Sequence, residues 1–287
     1  MSVTVVGDAF IDIVVPVYGI KKGETYHRKI TTICGGTANV AVWISRLGGR
    51  VKFVGKVGND VFGNYFRQKL REEGVKDLLF VDARNPTGLC ISLTFENGER
   101  TMIANRGAND YLAKEEIERC LDEIVNSKLV YFSGYSFMSE ETKQAILYTT
   151  ESCKGKCEIW FNPGAPNIIQ ESFRDYIRRF VDVLILNFYE ARAMTKKLKV
   201  DEVLKDLEEL ASLVVVTMGK NGCIVSSNGD YVLVPTRELN IEDTTGAGDV
   251  FSAGFIAGKL RGLDDLECAK LGNETALKFL KEKSGLR

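Results

Sequence analysis

The feature that most constrains the fold is an alternation between short apolar segments and amphipathic helical segments. The first strand-like run, Val3–Val6, is followed by helical spacing in Asn39–Leu47 and by another strand-like run, Val51–Val54. The alternation continues in Phe62–Glu73, Leu129–Phe132, Glu140–Ser152, Glu158–Phe161, Val181–Leu186, Val203–Leu210 and Leu213–Thr217. Short, continuously apolar strands separated by helices are typical of a mainly parallel sheet that is covered on both faces. The sequence therefore predicts an α/β fold.

Two segments interrupt this alternation. Val17–Ile33 shows the period-two pattern of a strand, and Thr87–Asn105 contains two β-prone runs joined by Asn97-Gly98. An Asn-Gly pair between such runs is a strong signal for a β-hairpin. We expect the two segments to form one small β-sheet that projects from the core as a lid. The predicted core comprises residues 1–16, 34–86 and 106–287, and the predicted lid comprises residues 17–33 and 87–105.

Composition excludes several classes of protein. The chain has 38 Lys and Arg against 39 Asp and Glu, a formal net charge of -1, so no overall field attracts nucleic acid or an anionic membrane. Apolar runs fall short of the roughly 20 residues that a membrane span needs. The first residues lack the basic region of a signal peptide. Seven widely spaced cysteines and one histidine, His27, predict free thiols in a reducing cytoplasm rather than a metal site.

The segment that most clearly indicates chemistry is Asp243–Asp249, which reads Asp-Thr-Thr-Gly-Ala-Gly-Asp and opens onto an apolar helix. The free N–H groups and the dipole of a helix start favour phosphate oxygens. A carboxylate at Asp249 fits a base that deprotonates an attacking hydroxyl, and it equally fits a helix cap. The sequence contains no Walker A loop, no dinucleotide fingerprint and no protein-kinase catalytic loop, which excludes those nucleotide-binding classes.

Asp243–Asp249 resembles the C-terminal signature of the ribokinase-like (pfkB) carbohydrate kinases, and Gly35–Ala41 resembles their N-terminal Gly-Gly signature. Four further segments match family motifs in the expected order: Gly55–Gly63, Gly107–Asn109, Asn187–Glu190 and Thr217–Gly222. These matches cover nearly the whole chain. The resemblance implies a ribokinase-like three-layer α/β/α core with a mainly parallel sheet and a small β-sheet lid. It also implies transfer of the γ-phosphoryl group of ATP to a hydroxymethyl group of a sugar or a nucleoside.

The resemblance assigns the groups that would carry out the transfer. Asp249 would be the general base, and the backbone N–H groups of Gly246, Ala247 and Gly248 would form an anion hole. Asn187 and Glu190 would hold phosphate and the water bound to Mg²⁺. Taken without the resemblance, this last pair also fits a strand end followed by a helix start.

Other matched residues would bind the nucleotide and a second cation. Thr217, Gly219 and Gly222 would line the nucleotide site, and a plain hairpin turn is the alternative interpretation of the two glycines. Asn273, on the last predicted helix, would approach the adenine. The resemblance further implies that Asp243 and Thr245 supply part of a monovalent-cation site.

On the substrate side, the resemblance implies that Asp12, Gly36 and Asn39 bind sugar hydroxyls. Asp12 lies on an apolar stretch, where an unpaired carboxylate would be costly. Asn39 also fits a helix cap, and Asp8 ranks below Asp12 because it fits a turn. Arg106 would face the pocket from the base of the lid, with a surface ion pair as the alternative.

The sequence therefore predicts a Mg²⁺- and ATP-dependent sugar kinase of the ribokinase or fructokinase type. The segment Phe161–Pro166 resembles the Asn-Pro segment of ribokinases, which favours a pentose or a ketohexose. Alternatives are a nucleoside kinase of the same fold, kinases of sugar acids, sugar phosphates or inositol, and a non-catalytic sugar sensor. We expect a small-molecule substrate, no nucleic-acid or membrane partner, and a homodimer formed through the lid.

Overall fold

Strands and helices alternate in the computed structural model, which describes residues 2–17, 30–95, 100–239, 241 and 244–284. The strands are β1 (Ser2–Val6), β2 (Ala9–Pro16), β3 (Thr31–Gly36), β4 (Arg50–Gly58), β5 (Lys76–Asp82), β6 (Gly88–Thr94), β7 (Arg100–Asn105), β8 (Leu129–Ser133), β9 (Glu158–Asn162), β10 (Val183–Asn187), β11 (Leu213–Thr217), β12 (Cys223–Ser227) and β13 (Asp230–Val234). The α-helices are α1 (Ala38–Arg46), α2 (Val61–Glu72), α3 (Lys114–Glu118), α4 (Leu121–Val125), α5 (Glu140–Cys153), α6 (Ser172–Phe180), α7 (Phe188–Thr195), α8 (Val200–Glu208), α9 (Ala247–Leu260) and α10 (Asp265–Ser284).

A nine-stranded sheet forms the centre, in the spatial order β13-β12-β11-β10-β9-β8-β1-β4-β5. Every pairing from β11 through β5 is parallel, whereas β12 and β13 add in antiparallel fashion at one edge. The first strand, β1, lies inside the sheet between β4 and β8. The prediction of a mainly parallel sheet is confirmed.

Both faces of this sheet are buried under helices. In β10, Val183 and Ile185 join the apolar cluster that contains α1, α2, α9 and α10, whereas Leu184 and Leu186 join the cluster that contains α3 to α8. Successive side chains of a strand point to opposite faces, so a strand buried on both faces reads as an unbroken apolar run. The three-layer α/β/α arrangement is therefore confirmed.

Helix α9 is held against α10 by glycines. A Cβ on Gly254 would lie 2.8 Å from the Cα of Gly272, and a Cβ on Gly258 would lie 2.8 Å from the Sγ of Cys268. No side chain fits at such distances, so the two helix backbones meet directly. This contact fixes α9 on the core and thereby fixes the position of its first turn.

A second, four-stranded sheet has the order β3-β2-β6-β7 and is called the small sheet below. The prediction of a small separate sheet is confirmed, although its boundaries as predicted differ from the strand pairing. Ala9–Pro16, predicted as core within residues 1–16, forms the interior strand β2 of the small sheet. Ile11 is fully buried where the small sheet meets the core, so this run has the apolar pattern of a core strand.

Part of the predicted lid lies outside the described residues, namely 18–29 with His27 and the Asn97-Gly98 turn within 96–99. The division of the chain into a core domain and a lid domain stays a prediction. Among the described helices, none has the length and apolarity that crossing a bilayer would require.

Candidate active site

The site lies at the edge of the large sheet where the parallel strands end. Asp8 follows β1, Tyr135 follows β8, and Asn187 and Thr217 are the last residues of β10 and β11. Because these strands are parallel, their carboxyl ends meet at the same edge. The topology therefore gathers residues from four separate parts of the chain.

The first turn of α9 faces this edge. Gly246 precedes the helix with a φ of 82°, a left-handed conformation that glycine adopts without strain. Ala247 N–H donates to the Thr244 carbonyl at 3.1 Å. A Cβ on Gly248 would meet no atom within 4 Å, so the backbone there is open to an approaching group. Gly246, Ala247 and Gly248 thus present an accessible helix start, and their role as an anion hole stays a prediction.

Asp249 lies in the same turn and accepts a hydrogen bond from Asn39 Nδ2 at 3.4 Å. Burial raises the pKa of Asp249 to about 6, and the contact with Asn39 opposes that rise. Asn39 lies inside α1, whose N-cap is Thr37, so the interpretation of Asn39 as a cap is wrong. The N-cap of α9 is Gly246, and no side-chain cap bond forms there. A carboxyl group with a pKa near 6 is well suited to general-base catalysis near neutral pH.

Glu190 is a second carboxyl group in this region, and its side chain is buried. It forms a capping box with Asn187: Asn187 N–H donates to Oε2 at 2.9 Å, and Asn187 Oδ1 accepts from Glu190 N–H at 3.0 Å. Burial raises the pKa of Glu190 to about 7; Asn187 and Asn162 oppose the rise, and the Asp249 carboxylate adds to it. Asn187 and Glu190 therefore do form a strand end and a helix start, as the alternative interpretation of this pair states. In this position Glu190 also experiences the negative charge of Asp249.

Two tyrosines join the site without any sequence motif that indicates them. Tyr131, on β8, is buried, and its side chain is hydrogen-bonded to Ser252 of α9. Burial raises the pKa of Tyr131, and Asp249 adds to that rise. The ring therefore packs beside the candidate base.

Tyr135 lies in the turn after β8 and is 38% exposed. Burial of its hydroxyl raises its pKa, and Glu190, Asp249 and Asp8 raise it further. One ring thus lies within electrostatic reach of three carboxylates, which belong to α7, to α9 and to the residue pair that follows β1. Because part of the ring is exposed, it offers an apolar surface to a bound molecule.

The glycines of the candidate substrate side are required by close packing. A Cβ on Gly35 would lie 2.0 Å from Asp12 Oδ2, and Gly36 has a φ of 71° with its Cβ position 2.4 Å from the Asp8 carbonyl. The end of β3 therefore runs directly against Asp8 and Asp12. The structure brings Asp12 and Gly36 together as the sequence predicts, and their binding of sugar stays a prediction.

Arg106 is not a surface residue, although it does form ion pairs. Its Nη1 lies 2.8 Å from Asp8 Oδ2, its Nη2 lies 3.1 Å from Asp8 Oδ1, and its Nε donates to Asp110. Asp8 is 3% exposed. Burial raises the pKa of Asp8 and Arg106 opposes that rise; the bidentate contact is the geometry of an ionised pair. The neighbouring Asn109 holds the start of β2 in place, because its side chain accepts from the Ala9 N–H and donates to the Ala9 carbonyl.

The predicted nucleotide-binding glycines form a turn between β11 and β12. Gly219 and Gly222 have φ values of 58° and 90°, and Met218 N–H donates to the Gly222 carbonyl at 2.7 Å. A Cβ on Gly222 would lie 2.1 Å from the carbonyl oxygen of Val234, whereas one on Gly219 would meet nothing within 4 Å. Close packing thus explains why residue 222 is a glycine. At Gly219 the backbone is open, which leaves space for a ligand near Thr217.

The remaining predicted residues have partners inside the protein. Asn273 is buried, and its Nδ2 donates to the Val234 carbonyl at 3.0 Å, which ties α10 to β13. Lys283 Nζ donates to the Thr245 carbonyl at 3.1 Å, so an ammonium group already contacts this part of the predicted cation site. Asp243 lies outside the described residues. Contacts of these residues with adenine or with a monovalent cation stay predictions.

The sequence also matches a known family of enzymes. A family model described as pfkB family carbohydrate kinase matches residues 1–285. The chain belongs to the pfkB family.

Relatives of this pfkB kinase are kinases of several small molecules. An uncharacterised sugar kinase of Archaeoglobus fulgidus is 28% identical over 85% of this chain and 96% of its own length. An ATP-dependent 6-phosphofructokinase of Thermoanaerobacterium thermosaccharolyticum is 27% identical over 94% of this chain and 85% of its own. The crystal structure of adenosine kinase from Sinorhizobium meliloti has a TM-score of 0.88 at 28% identity and covers 96% of this chain and 92% of that one. The resemblance drawn from the motifs is confirmed for the family and for the fold.

Within this pfkB kinase, the predicted residues fall into two groups. The first group contains Asp249, which is hydrogen-bonded to Asn39 and raises the pKa of Glu190. Arg106 belongs to the same group because it forms an ion pair with Asp8 at this edge of the sheet. A second group lies around the β11–β12 turn and the end of β13, as described for Gly222 and Asn273. The first group contains the side chains able to carry out proton transfer.

Proposed function

We propose that the protein is an ATP-dependent kinase that phosphorylates a hydroxymethyl group of a sugar. The observation that carries this proposal is the position of Asp249. Its carboxyl group has a pKa of about 6, lies in the first turn of α9 and is hydrogen-bonded to Asn39 on the substrate side. A base of this pKa, beside backbone N–H groups that favour phosphate, matches the two requirements of phosphoryl transfer to an alcohol.

The proton transfer follows from this arrangement. Asp249 would accept the proton of the attacking hydroxyl, while the hydrogen bond from Asn39 fixes the orientation of the carboxylate. The N–H groups of Gly246, Ala247 and Gly248 would stabilise negative charge on the transferred phosphoryl group, with the Ala247 N–H shared between that group and the Thr244 carbonyl to which it donates here. The open space around Gly248 leaves the room that a phosphate needs.

The residues present fit a magnesium ion that is held mainly by water. The described residues contain no cluster of three or more His, Cys, Asp or Glu side chains able to hold a metal. Glu190 and Asn187 would therefore bind the ion through its water molecules, in keeping with the preference of Mg²⁺ for retaining several waters. When bound, the ion would neutralise charge on the phosphate oxygens. Glu190, with a pKa of about 7, is about half ionised for this purpose at pH 7, and its ionised fraction grows above that pH.

ATP would bind along the carboxyl edge of the sheet towards β11. Thr217 ends that strand, and the open backbone at Gly219 permits close approach of a ligand. An ATP-dependent relative that aligns with 94% of this chain supports ATP as the phosphoryl donor. Asn273 contributes by holding β13 in place beside this turn.

A nucleoside is the second candidate substrate. The adenosine kinase structure with a TM-score of 0.88 favours it, and so does Tyr135. This ring is 38% exposed beside the carboxylates of the site and would stack on a base. A sugar ring would pack on the same surface, so Tyr135 alone does not select between the two substrates.

We also propose a cellular compartment and an oligomeric state for the enzyme, from its cysteines and from the surface of the small sheet. Every described cysteine has a free thiol, which suits a reducing cytoplasm. One face of the small sheet exposes Ile33 and Met102, each about half exposed. Such a face would form the homodimer contact.

The test is release of ADP from Mg·ATP with ribose, fructose, 2-dehydro-3-deoxygluconate, myo-inositol, adenosine and cytidine, with Asp249→Asn as the blank. Turnover of one compound that is abolished in the blank would support the kinase. Tight binding without any turnover would instead identify a sugar sensor, and the proposal would fail.

A further inference from the structure

The guanidinium group of Arg106 is surrounded by more negative charge than it carries. Asp8 binds it in bidentate fashion and Asp110 binds its Nε, so two carboxylates face one cation. The group of three therefore carries one net negative charge when all of its members are ionised. The exposed fractions of the Arg106 and Asp8 side chains are 13% and 4%, so solvent screens their contact weakly.

The hydrogen-bonding capacity of Arg106 is largely used within this group. Of its five N–H donors, three point to carboxylate oxygens, and Nη1 also lies 3.8 Å from the thioether sulfur of Met138. An anionic substrate would have to displace Asp8 to gain a bidentate contact. Displacement would leave a buried carboxylate without its partner, which is strongly unfavourable.

The charged groups that act across the site are also mostly negative. Asp8, Asp249 and Glu190 all raise the pKa of Tyr135, which is 38% exposed. Among the described residues, Arg106 is the only cation that appears among the groups shifting the pKa values of Asp8, Tyr135, Glu190 and Asp249. A phosphate or carboxylate on the non-reacting end of a substrate would therefore meet like charge.

We infer that the site selects uncharged substrates, a free sugar or a nucleoside, and discriminates against sugars that carry phosphate or carboxylate groups. In this arrangement Asp110 acts as a positioning residue, because it holds the Arg106 guanidinium and cancels its charge. The inference rests on the proposed kinase function and narrows its substrate class. It removes sugar-phosphate and sugar-acid kinases from the alternatives that the sequence leaves open.

The experiment compares substrates that differ by one phosphate and keep a free hydroxymethyl group. Fructose is paired with fructose 1-phosphate and with fructose 6-phosphate, and adenosine is paired with adenosine 3′-phosphate. We expect kcat/KM to favour the uncharged member by about tenfold or more, since one unfavourable charge contact near a protein surface corresponds to at least that factor. Calorimetric binding of the same pairs measures the preference without requiring turnover.

Variants at Asp110 test the part played by Arg106. Asp110→Asn removes one negative charge while keeping an oxygen that can accept from Nε, so we expect the preference for the uncharged member to fall about fivefold. Asp110→Glu keeps the charge and should keep the preference. Asp175→Asn is the matched control, because Asp175 is a largely exposed carboxylate that pairs with Arg178 of its own helix, α6.

The outcomes separate this inference from the proposed function. Equal or better use of the phosphorylated members by the wild-type enzyme would overturn the inference and leave the kinase intact. An unchanged preference in Asp110→Asn would overturn the role of Asp110. Absence of turnover with every compound would count against the kinase, and the binding preference would then decide the charge selection by itself.

Discussion

The side-chain amide of Asn39 donates a hydrogen bond to the carboxylate of Asp249, although 210 positions separate the two residues in the chain. The contact joins α1, which follows the Gly-Gly segment, to the first turn of α9. It also lowers the pKa of the carboxyl group against the effect of burial. Asn39, which is proposed to bind the sugar, therefore also lowers the pKa of Asp249, the proposed base.

Replacing Asn39 with alanine should affect both binding and acidity. Loss of the amide removes a hydrogen bond to the sugar, so we expect KM to rise about tenfold. The Asp249 carboxylate also loses a donor, so the acid limb of the pH profile of kcat should move up by about half a pH unit, given the long 3.4 Å contact. Steady-state kinetics between pH 5 and pH 9 measures both. Ser45→Ala, at the far end of the same helix, is the control, and an unchanged KM in Asn39→Ala would refute a binding role.

Replacing Asp249 with asparagine should remove turnover and increase stability. Without the base, kcat should fall by about 10²- to 10⁴-fold while sugar still binds. The pKa of Asp249 is raised from 3.8 to about 6, so its ionisation opposes folding, and stability falls as pH rises through that interval. Above it, the asparagine variant should be more stable by about 1–2 kcal/mol, a figure reduced because the side chain is partly exposed.

Thermal unfolding at pH 7.5 checks the stability of this variant. Asp265→Asn is the control, since Asp265 is an acidic residue in the first turn of the neighbouring helix α10. If Asp249→Asn retained near-normal kcat, the assignment of the base would be wrong.

The wild-type enzyme should lose activity as pH falls below neutrality. Asp249 and Glu190, with pKa values of about 6 and about 7, must both be ionised, and the Asp249 carboxylate raises the cost of ionising Glu190. The profile of kcat/KM should therefore rise through about pH 6–7 and level off above it. A profile that stayed flat down to pH 5 would contradict the participation of both groups.

Glu190→Gln separates a catalytic role from a capping role. Glutamine keeps the reciprocal cap with Asn187, so the unfolding midpoint should stay the same or rise. The charge that would hold the Mg²⁺-bound water is lost, and kcat should fall by about 10- to 100-fold. Asn187→Ala is the companion variant, in which loss of the cap should cost about 1 kcal/mol of stability. A normal kcat in Glu190→Gln would contradict a catalytic role, and helix capping would then be the role of Glu190.

Two glycines of α9 should respond to alanine in opposite ways. A Cβ on Gly254 would lie 2.8 Å from Gly272, so Gly254→Ala should destabilise the fold by about 1–3 kcal/mol. A Cβ on Gly248 meets nothing, so Gly248→Ala should stabilise α9 by up to about 1 kcal/mol while it crowds the phosphate position and lowers kcat. Chemical unfolding and ADP release, measured on both variants, test the pair. Unchanged kcat in Gly248→Ala would argue against the anion hole.

The sequence predicts the core well because the core depends on local patterns. A strand that is buried on both faces needs only continuous apolarity to be recognised, and the segment Leu213–Thr217 forms β11 with the predicted bounds. Ala9–Pro16 is different, because a strand buried at the junction with the small sheet has the same composition as a core strand. Composition indicates that a segment is a strand, but not which sheet it joins.

The site is less predictable because its contacts join distant parts of the chain. The pairing of Asn39 with Asp249 has no local signature, and neither does the position of Tyr135 among three carboxylates. The four-residue spacing of Arg106 and Asp110 is a signal that indicates their contact, because residues at that spacing meet within one helical turn. Asp8 carries no such signal, since its partner lies 98 positions away.

The contact between Asn39 and Asp249 also bears on how the protein becomes active as it folds. Pairings between residues so far apart form late, because much of the chain must be ordered before they repay the entropy of loop closure. The base lies on α9, which in turn depends on its glycine contact with α10. We therefore expect partly folded chains to assemble much of the sheet without acquiring a complete site, so that turnover begins only once α9 and α10 have docked.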